Sequence, residues 1–453
     1  MNDQAPAGTV TAAGVATPPP LGHRQVLWIA VPIMLSNATV PLIGFVDTAV
    51  IGQLGLPHLM GGVAVGALIF NVLYWTFSFL RMGTTGLTAQ ALGARDPREI
   101  AGHLLRALLL AALGGLAIVV LQAPIKHAAF WLTGGSTEVL AAAAAYYDIR
   151  VWAAPAGLVN FAVLGWLIGL GRAGIAFAIQ LLLNLMNIGL AIVFVSWLGA
   201  GIEGVGTAAL IAEYVAAVAG LGAAVVLARR LHARAPLADA IAGPQLRRAL
   251  AINADISVRS MAGYATLVYF IAQGAAAGDV TLAANALLFN IQSITIYLLD
   301  GFAFAAEALV GRAIGARDRG EFDRAVRLTT LWAAVLAVLT GLGIWLAGPA
   351  IIAFTARNGD VQAAAGAYLG WAAIAPLVGV WCFQLDGIFT GSTRTRDMRN
   401  MMLLSVVVYF AVAFALVPMM GNHGLWAALL VFNVVRAISL ATRFPALLRA
   451  SFP

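Results

Sequence analysis

Twelve apolar stretches, each long enough to cross a bilayer as a helix, follow one another along this 453-residue chain. A spanning helix needs about 20 apolar residues, and a chain that repeats this pattern twelve times has few other ways to fold. The stretches lie at 25–51, 60–92, 103–123, 140–170, 174–198 and 204–228. The second six lie at 248–275, 281–314, 326–348, 363–391, 400–418 and 424–447. Composition agrees, with 62% hydrophobic and 10% charged residues, against about 25% charged in soluble domains. The expected fold class is an all-α polytopic membrane protein.

The net charge of +7 could point to nucleic acid, but its distribution points to a membrane. The even-numbered loops hold Arg95, Arg98 and Arg106, then Arg172, then Arg229, Arg230, Arg234, Arg247 and Arg248. Further along they hold Arg312, Arg317, Arg319, Arg324 and Arg327, then Arg394, Arg396 and Arg399. The odd-numbered loops hold only Lys126 and Arg357. Positive charge gathers on the cytoplasmic side of spanning proteins. Both termini and the even loops are therefore expected in the cytoplasm, with the chain in the inner membrane and no nucleic-acid partner. Residues 1–22 are expected to be a disordered tail, because the first twenty lack the basic and apolar regions of a cleavable signal peptide.

The chain repeats itself at an offset of about 220 residues, a period that signals internal duplication. GARD occurs at 93–96 and at 315–318, and Phe70-Asn71 matches Phe289-Asn290. Pro155 and Gly169 match Pro376 and Gly391, and Gly201-x-x-Gly204 matches Gly421-x-x-Gly424. Six spans per half give both halves the same orientation, so the repeat axis runs along the membrane normal. The expected organisation is a bundle over 23–228, a cytoplasmic linker over 229–247 and a second bundle over 248–453. This is a common plan among secondary transporters; a duplicated structural bundle is the other reading.

Several activities lack their residues. A nucleotide-binding P-loop needs a lysine after a glycine-rich turn, and the sole lysine lies in QAPIKH. The six histidines fall mainly in loops without metal-ligand spacing, and Cys382 has no second cysteine to pair with. No enzyme activity and no cofactor are expected, and transport must draw on an ion gradient or run downhill.

An aspartate at mid-membrane costs roughly 2.5–3.5 kcal/mol and usually serves a proton, an ion or a cationic ligand. Asp47 lies in the first span, between Pro41 and Gly52, in VPLIGFVDTAVIG. It is the candidate coupling site, on a helix whose prolines permit bending; an aspartate satisfied by neighbouring Asn or Ser is the bland alternative. Asn184 and Asn187 share a face of span 5, where they could bond Asp47, bind substrate or simply hold helices together. Asn37 and Asn160 are weaker members of this group. Asp255 and Arg259, four apart in span 7, have the spacing of a structural or gating ion pair. Asp300 and Glu307 share a face of span 8, and Asp386 lies in span 10. These three could line the second half, pair with Arg259 or Arg81, or bind a second ion. Glu213 has no evident partner in the sequence.

Four runs carry a family likeness: VPLIGFVDTAVIGQLG, FLRMGTTGLTAQALGARD, LLDGFAFAAEALVGRAIGARD and LDGIFTGSTRTRDM. They resemble the multidrug and toxic compound extrusion (MATE) family, and within it the DinF-like branch, across all twelve spans. The resemblance implies twelve helices in two pseudosymmetric lobes and cation-coupled export of small organic compounds. It also implies that Asp47, in FVDTAV, matches the span-1 aspartate that binds the coupling cation. Members often show N-x-x-N-x-x-x-D on span 5; Asn184 and Asn187 match, but Ala191 replaces the acid. That departure weighs against a two-carboxylate sodium site and favours H⁺, with Na⁺ the alternative ion. The expected function is a monomeric proton-coupled antiporter using Asp47. A flippase for lipid-linked precursors is the competing reading; it would need a cationic cavity, and the embedded cations are Arg81, Arg150, Arg259 and Arg436.

Overall fold

A computed structural model describes residues 21–236, 238 and 243–452. Its first half contains α1 (His23–Gly52), α2 (Pro57–Thr76), α3 (Phe79–Gly93), α4 (Pro97–Val120), α5 (Gln122–Thr133), α6 (Thr137–Arg150), α7 (Ala154–Gly169), α8 (Ala173–Ile192) and α9 (Gly201–Arg230). Its second half contains α10 (Gly243–Ala276), α11 (Asp279–Gly315), α12 (Arg319–Thr355), α13 (Gly359–Gly391), α14 (Thr395–Met420) and α15 (Asn422–Ser451). Ten segments among the described residues are long and apolar enough to span a bilayer. The 30-residue α1 and 34-residue α10 complete twelve by length; charges at Arg247, Arg248, Asp255 and Arg259 dilute the apolar run of α10.

Two spans are broken. The second is α2 followed by α3, interrupted at Phe77-Ser78; the fourth is α6 followed by α7, joined by a short 3-10 turn at Val151–Ala153. Pro155 sits in the first turn of α7, where its missing N–H costs nothing. The third apolar stretch, expected to end at 123, ends at Val120 and is followed by the separate short helix α5. The seventh begins at Gly243, before the expected 248. The expected tail falls almost wholly on residues 1–20, outside the described residues. Leu21 itself is buried, and its N–H donates to Glu321 Oε1 at 3.1 Å.

The helices form two six-span bundles, and the cores show where they join. One large apolar cluster draws on both: Ile33, Trp166 and Leu183 from the first, Phe302, Phe389 and Leu440 from the second. It lies toward the end that carries the chain termini. A second cluster, around Ile51, Phe70 and Tyr147, belongs to the first bundle alone. Two more, around Phe270 and Trp426 and around Tyr409, belong to the second bundle alone. The bundles therefore fuse at the terminus-bearing end and part toward the other.

Glycine makes that fusion possible. A Cβ on Gly93 would lie 1.9 Å from the Arg312 carbonyl oxygen, and a Cβ on Gly315 would lie 1.9 Å from the Gln90 carbonyl oxygen. These are the two GARD glycines, each seated on the backbone of the other half. The repeat read from the sequence thus recurs as a reciprocal contact.

Candidate functional site

Asp47 projects from the C-terminal half of α1 and is 5% exposed. Its Oδ1 is buried and finds no hydrogen-bond partner among the described residues. Its charged neighbour is Arg150, the last residue of α6. A cation suits that position, because the final carbonyls of a helix carry partial negative charge. The guanidinium carbon lies 5.2 Å from the Phe70 ring and 5.7 Å from the Tyr146 ring. Aromatic faces attract a cation without neutralising it.

Arg150 also interacts electrostatically with Glu213 on α9. Glu213 therefore has partners that its sequence context did not show. Asn160 Nδ2 donates to Glu213 Oε2 at 2.7 Å and to its carbonyl oxygen at 3.1 Å. The first-bundle site thus brings two carboxylates within electrostatic reach of one guanidinium, and Asp47 is not its only acid.

The asparagines separate. Asn184 Nδ2 donates to Thr39 Oγ1, and Gln180 Nε2 donates to Asn184 Oδ1 at 3.0 Å. Asn184 therefore ties α8 to α1 rather than bonding Asp47. Asn187 is buried, and its Oδ1 has no hydrogen-bond partner among the described residues. Asn37 Nδ2 donates to the Tyr297 carbonyl at 3.3 Å, which joins the two bundles.

The second half gathers a larger set. The Asp255–Arg259 pair expected from spacing does not form. Asp255 bonds Arg399 at 2.5 Å and accepts from the Thr395 hydroxyl at 3.1 Å, near the terminus-bearing end. Arg259 instead reaches Asp386, as does Arg436. All three of those side chains are buried, and a buried guanidinium is stable only beside a carboxylate. That requirement outweighs a surface-type i,i+4 pairing. Asp300 interacts with Arg81, Arg436 and Arg259. Glu307 interacts with Arg81 of the first bundle, and the Thr85 hydroxyl donates to the Arg81 carbonyl at 2.9 Å. Arg81 lies 3.8 Å above the Phe304 ring.

Charge now sorts the two sites. The second-half set holds Arg81, Arg259 and Arg436 against Asp300, Glu307 and Asp386, a balanced three to three. The first-half set holds Asp47 and Glu213 against Arg150, one negative charge in excess. The site residues that sequence reasoning underused are Arg150, Glu213, Tyr146 and Tyr74, a buried tyrosine that interacts with Glu213 and Arg150. The signal for Arg150 was its place just before VWAAP, where the span breaks and Pro155 opens the next helix.

The MatE family model matches residues 32–193 and 257–415. The chain belongs to the MATE family. It is a membrane transporter, not an enzyme, and it is embedded in lipid as a polytopic helical protein. It is 41% identical to the DNA damage-inducible protein F of Escherichia coli (strain K12), over 92% of this chain and 91% of that protein. It is 28% identical to a Caulobacter vibrioides protein described as "Probable multidrug resistance protein NorM", over 70% and 68% of the two chains. Among solved structures, a MATE transporter crystallised in the bent conformation superposes with a TM-score of 0.86 at 20% identity, covering 95% of this chain and 97% of that one. The twelve-helix, two-bundle MATE fold expected from the sequence is the fold observed.

Proposed function

We propose that this chain is a proton-driven antiporter that exports small organic compounds, cationic or amphipathic, across the inner membrane. The observation that carries this reading is the first-bundle charge set, two carboxylates around one guanidinium. Fully ionised, it holds a net negative charge at membrane depth, where an unpaired charge is costly. One proton removes that excess, and so does one bound monovalent cation. Arginine keeps its proton, so the exchangeable proton resides on Asp47, with Glu213 sharing Arg150. The NorM relative carries multidrug resistance in its description, which supports an organic substrate.

In this reading the termini and the arginine-rich turns face the cytoplasm. The fused ends of the bundles then close the cytoplasmic side, and the parted ends open outward. Protonation of Asp47 from outside frees Arg150 toward Glu213 and releases substrate, with α1 bending or straightening as Asp47 changes charge. Return to the inward-open state exchanges the proton for a new substrate. The chain works as a monomer, with H⁺ as the coupling ion, no cofactor and no nucleic-acid partner. A flippase for anionic precursors fits less well, since Arg81, Arg150, Arg259 and Arg436 each face a carboxylate.

The test is drug efflux from proteoliposomes under an imposed pH gradient or an imposed Na⁺ gradient. Wild type should respond to pH, and Asp47→Asn should fall to background. Undiminished efflux by Asp47→Asn removes Asp47 from coupling, and a response to Na⁺ alone removes the proton.

A further inference from the structure

A cavity of about 580 Å³ opens at the terminus-bearing end of the second bundle. It lies between the start of α10, the turn before α14 and the last turns of α15, with Asp255 in its lining one helical turn before Arg259 of the second-half charge set. Four arginines line it, Arg248, Arg394, Arg396 and Arg443, against Asp255 and Asp397. Both aspartates are already engaged. Asp255 bonds Arg399 at 2.5 Å, and Asp397 lies 3.4 Å from Arg443 and 3.9 Å from Arg394. Arg248 and Arg396 are exposed and face no carboxylate within ion-pair distance among the described residues. The cavity therefore presents positive charge that the protein does not neutralise.

The turn that leads into Arg394 and Arg396 is held by the other bundle. Thr393 adopts φ 53°, where the matching turn of the first half has Gly171 at φ 69°. A β-branched residue in the left-handed region is a genuine outlier. Gln90 Nε2, from the other bundle, donates to Thr393 Oγ1 at 3.3 Å and to the Gly391 carbonyl at 2.9 Å. Beside the cavity, α10 and α14 pack together. Their outer surfaces are apolar, with Leu250, Val258 and Met261 on α10 and Leu403, Leu404 and Val407 on α14 all exposed. A basic cavity continuous with a lipid-facing apolar seam matches a phosphate headgroup with acyl chains attached.

We propose that this cavity binds the phosphate of an anionic phospholipid, with Arg248 and Arg396 as its main contacts and the acyl chains along the α10–α14 seam. Lipid binding in detergent is read independently of the transport proposed above. The experiment titrates full-length protein in detergent micelles with phosphatidylglycerol and follows retained lipid by native mass spectrometry. The double variant Arg248→Gln/Arg396→Gln should bind about ten-fold or more weakly, as expected for two headgroup-facing arginines. The variant Arg229→Gln/Arg230→Gln, with the same charge loss on α9, should bind as wild type does, and Arg248→Lys/Arg396→Lys should retain most binding. Four results overturn the proposal: unchanged binding by the Gln double variant, equal loss in the α9 variant, equal retention of phosphatidylcholine, or displacement of the lipid by inorganic phosphate at the same concentration.

Discussion

Arg150 is the residue on which the first-bundle site turns. It ends α6 at a break in the fourth span, so its guanidinium sits over aromatic rings rather than in one fixed ion pair. Planar guanidinium can change carboxylate partners without losing its charge, which suits a group placed between Asp47 and Glu213. Asp386 is its opposite: a carboxylate held by Arg259 and Arg436 with all three side chains buried. Removing one member of such a set leaves buried charge uncompensated, which costs about 3–5 kcal/mol. Asp386→Ala should therefore lower thermal stability sharply, while Asp47→Asn should leave it near wild type. Melting curves of the two purified variants check this, and equal melting points would show that Asp386 is not a structural anchor.

At the scale of the helices, the reciprocal seating of Gly93 and Gly315 fixes how closely the bundles approach. Alanine at both positions would bring each Cβ to 1.9 Å from a backbone carbonyl of the other half, and backbone cannot rotate away as a side chain can. The terminus-bearing ends should then separate. Spin labels on the two GARD turns should report a longer distance in Gly93→Ala/Gly315→Ala than in wild type, and an unchanged distribution would show that the contact gives locally. The spans and the duplication were legible in the sequence because length, apolarity and repeated blocks are local signals. The break at Phe77-Ser78 was not, because neither residue is a helix breaker. The pairings were not either. Asp255 and Arg259 have the right spacing for each other, yet Arg259 joins Asp386 and Asp255 joins Arg399. Asp47 could be picked out by its cost in a membrane, but Arg150 reaches it, and Glu213 reaches Arg150, only through the packing of separate helices.

At the scale of the whole molecule, one end of the two bundles shares a core and the other end keeps separate cores. A cleft that opens on one side requires such a division. The alternating access proposed above would need the shared contacts to loosen while the separate cores approach, with each bundle moving as a body. The balanced charge set of Arg81, Arg259 and Arg436 with Asp300, Glu307 and Asp386 lies near this junction, where it can bridge the bundles without demanding an ion.

In the antiport proposed above, the single excess charge of the first-bundle site would also set the electrical character of the cycle. If the site admits either one proton or one singly charged substrate, each turnover trades like for like across the membrane. A potassium diffusion potential imposed on proteoliposomes without a pH gradient should then leave efflux of a monovalent cation at background. A divalent cation exchanged for the same one proton should respond to that potential. Voltage-driven efflux of the monovalent substrate would instead mean that more than one proton moves per cycle. The count of carboxylates around Arg150 is thus a prediction of stoichiometry, and through it of which component of the proton-motive force the proposed antiport would use.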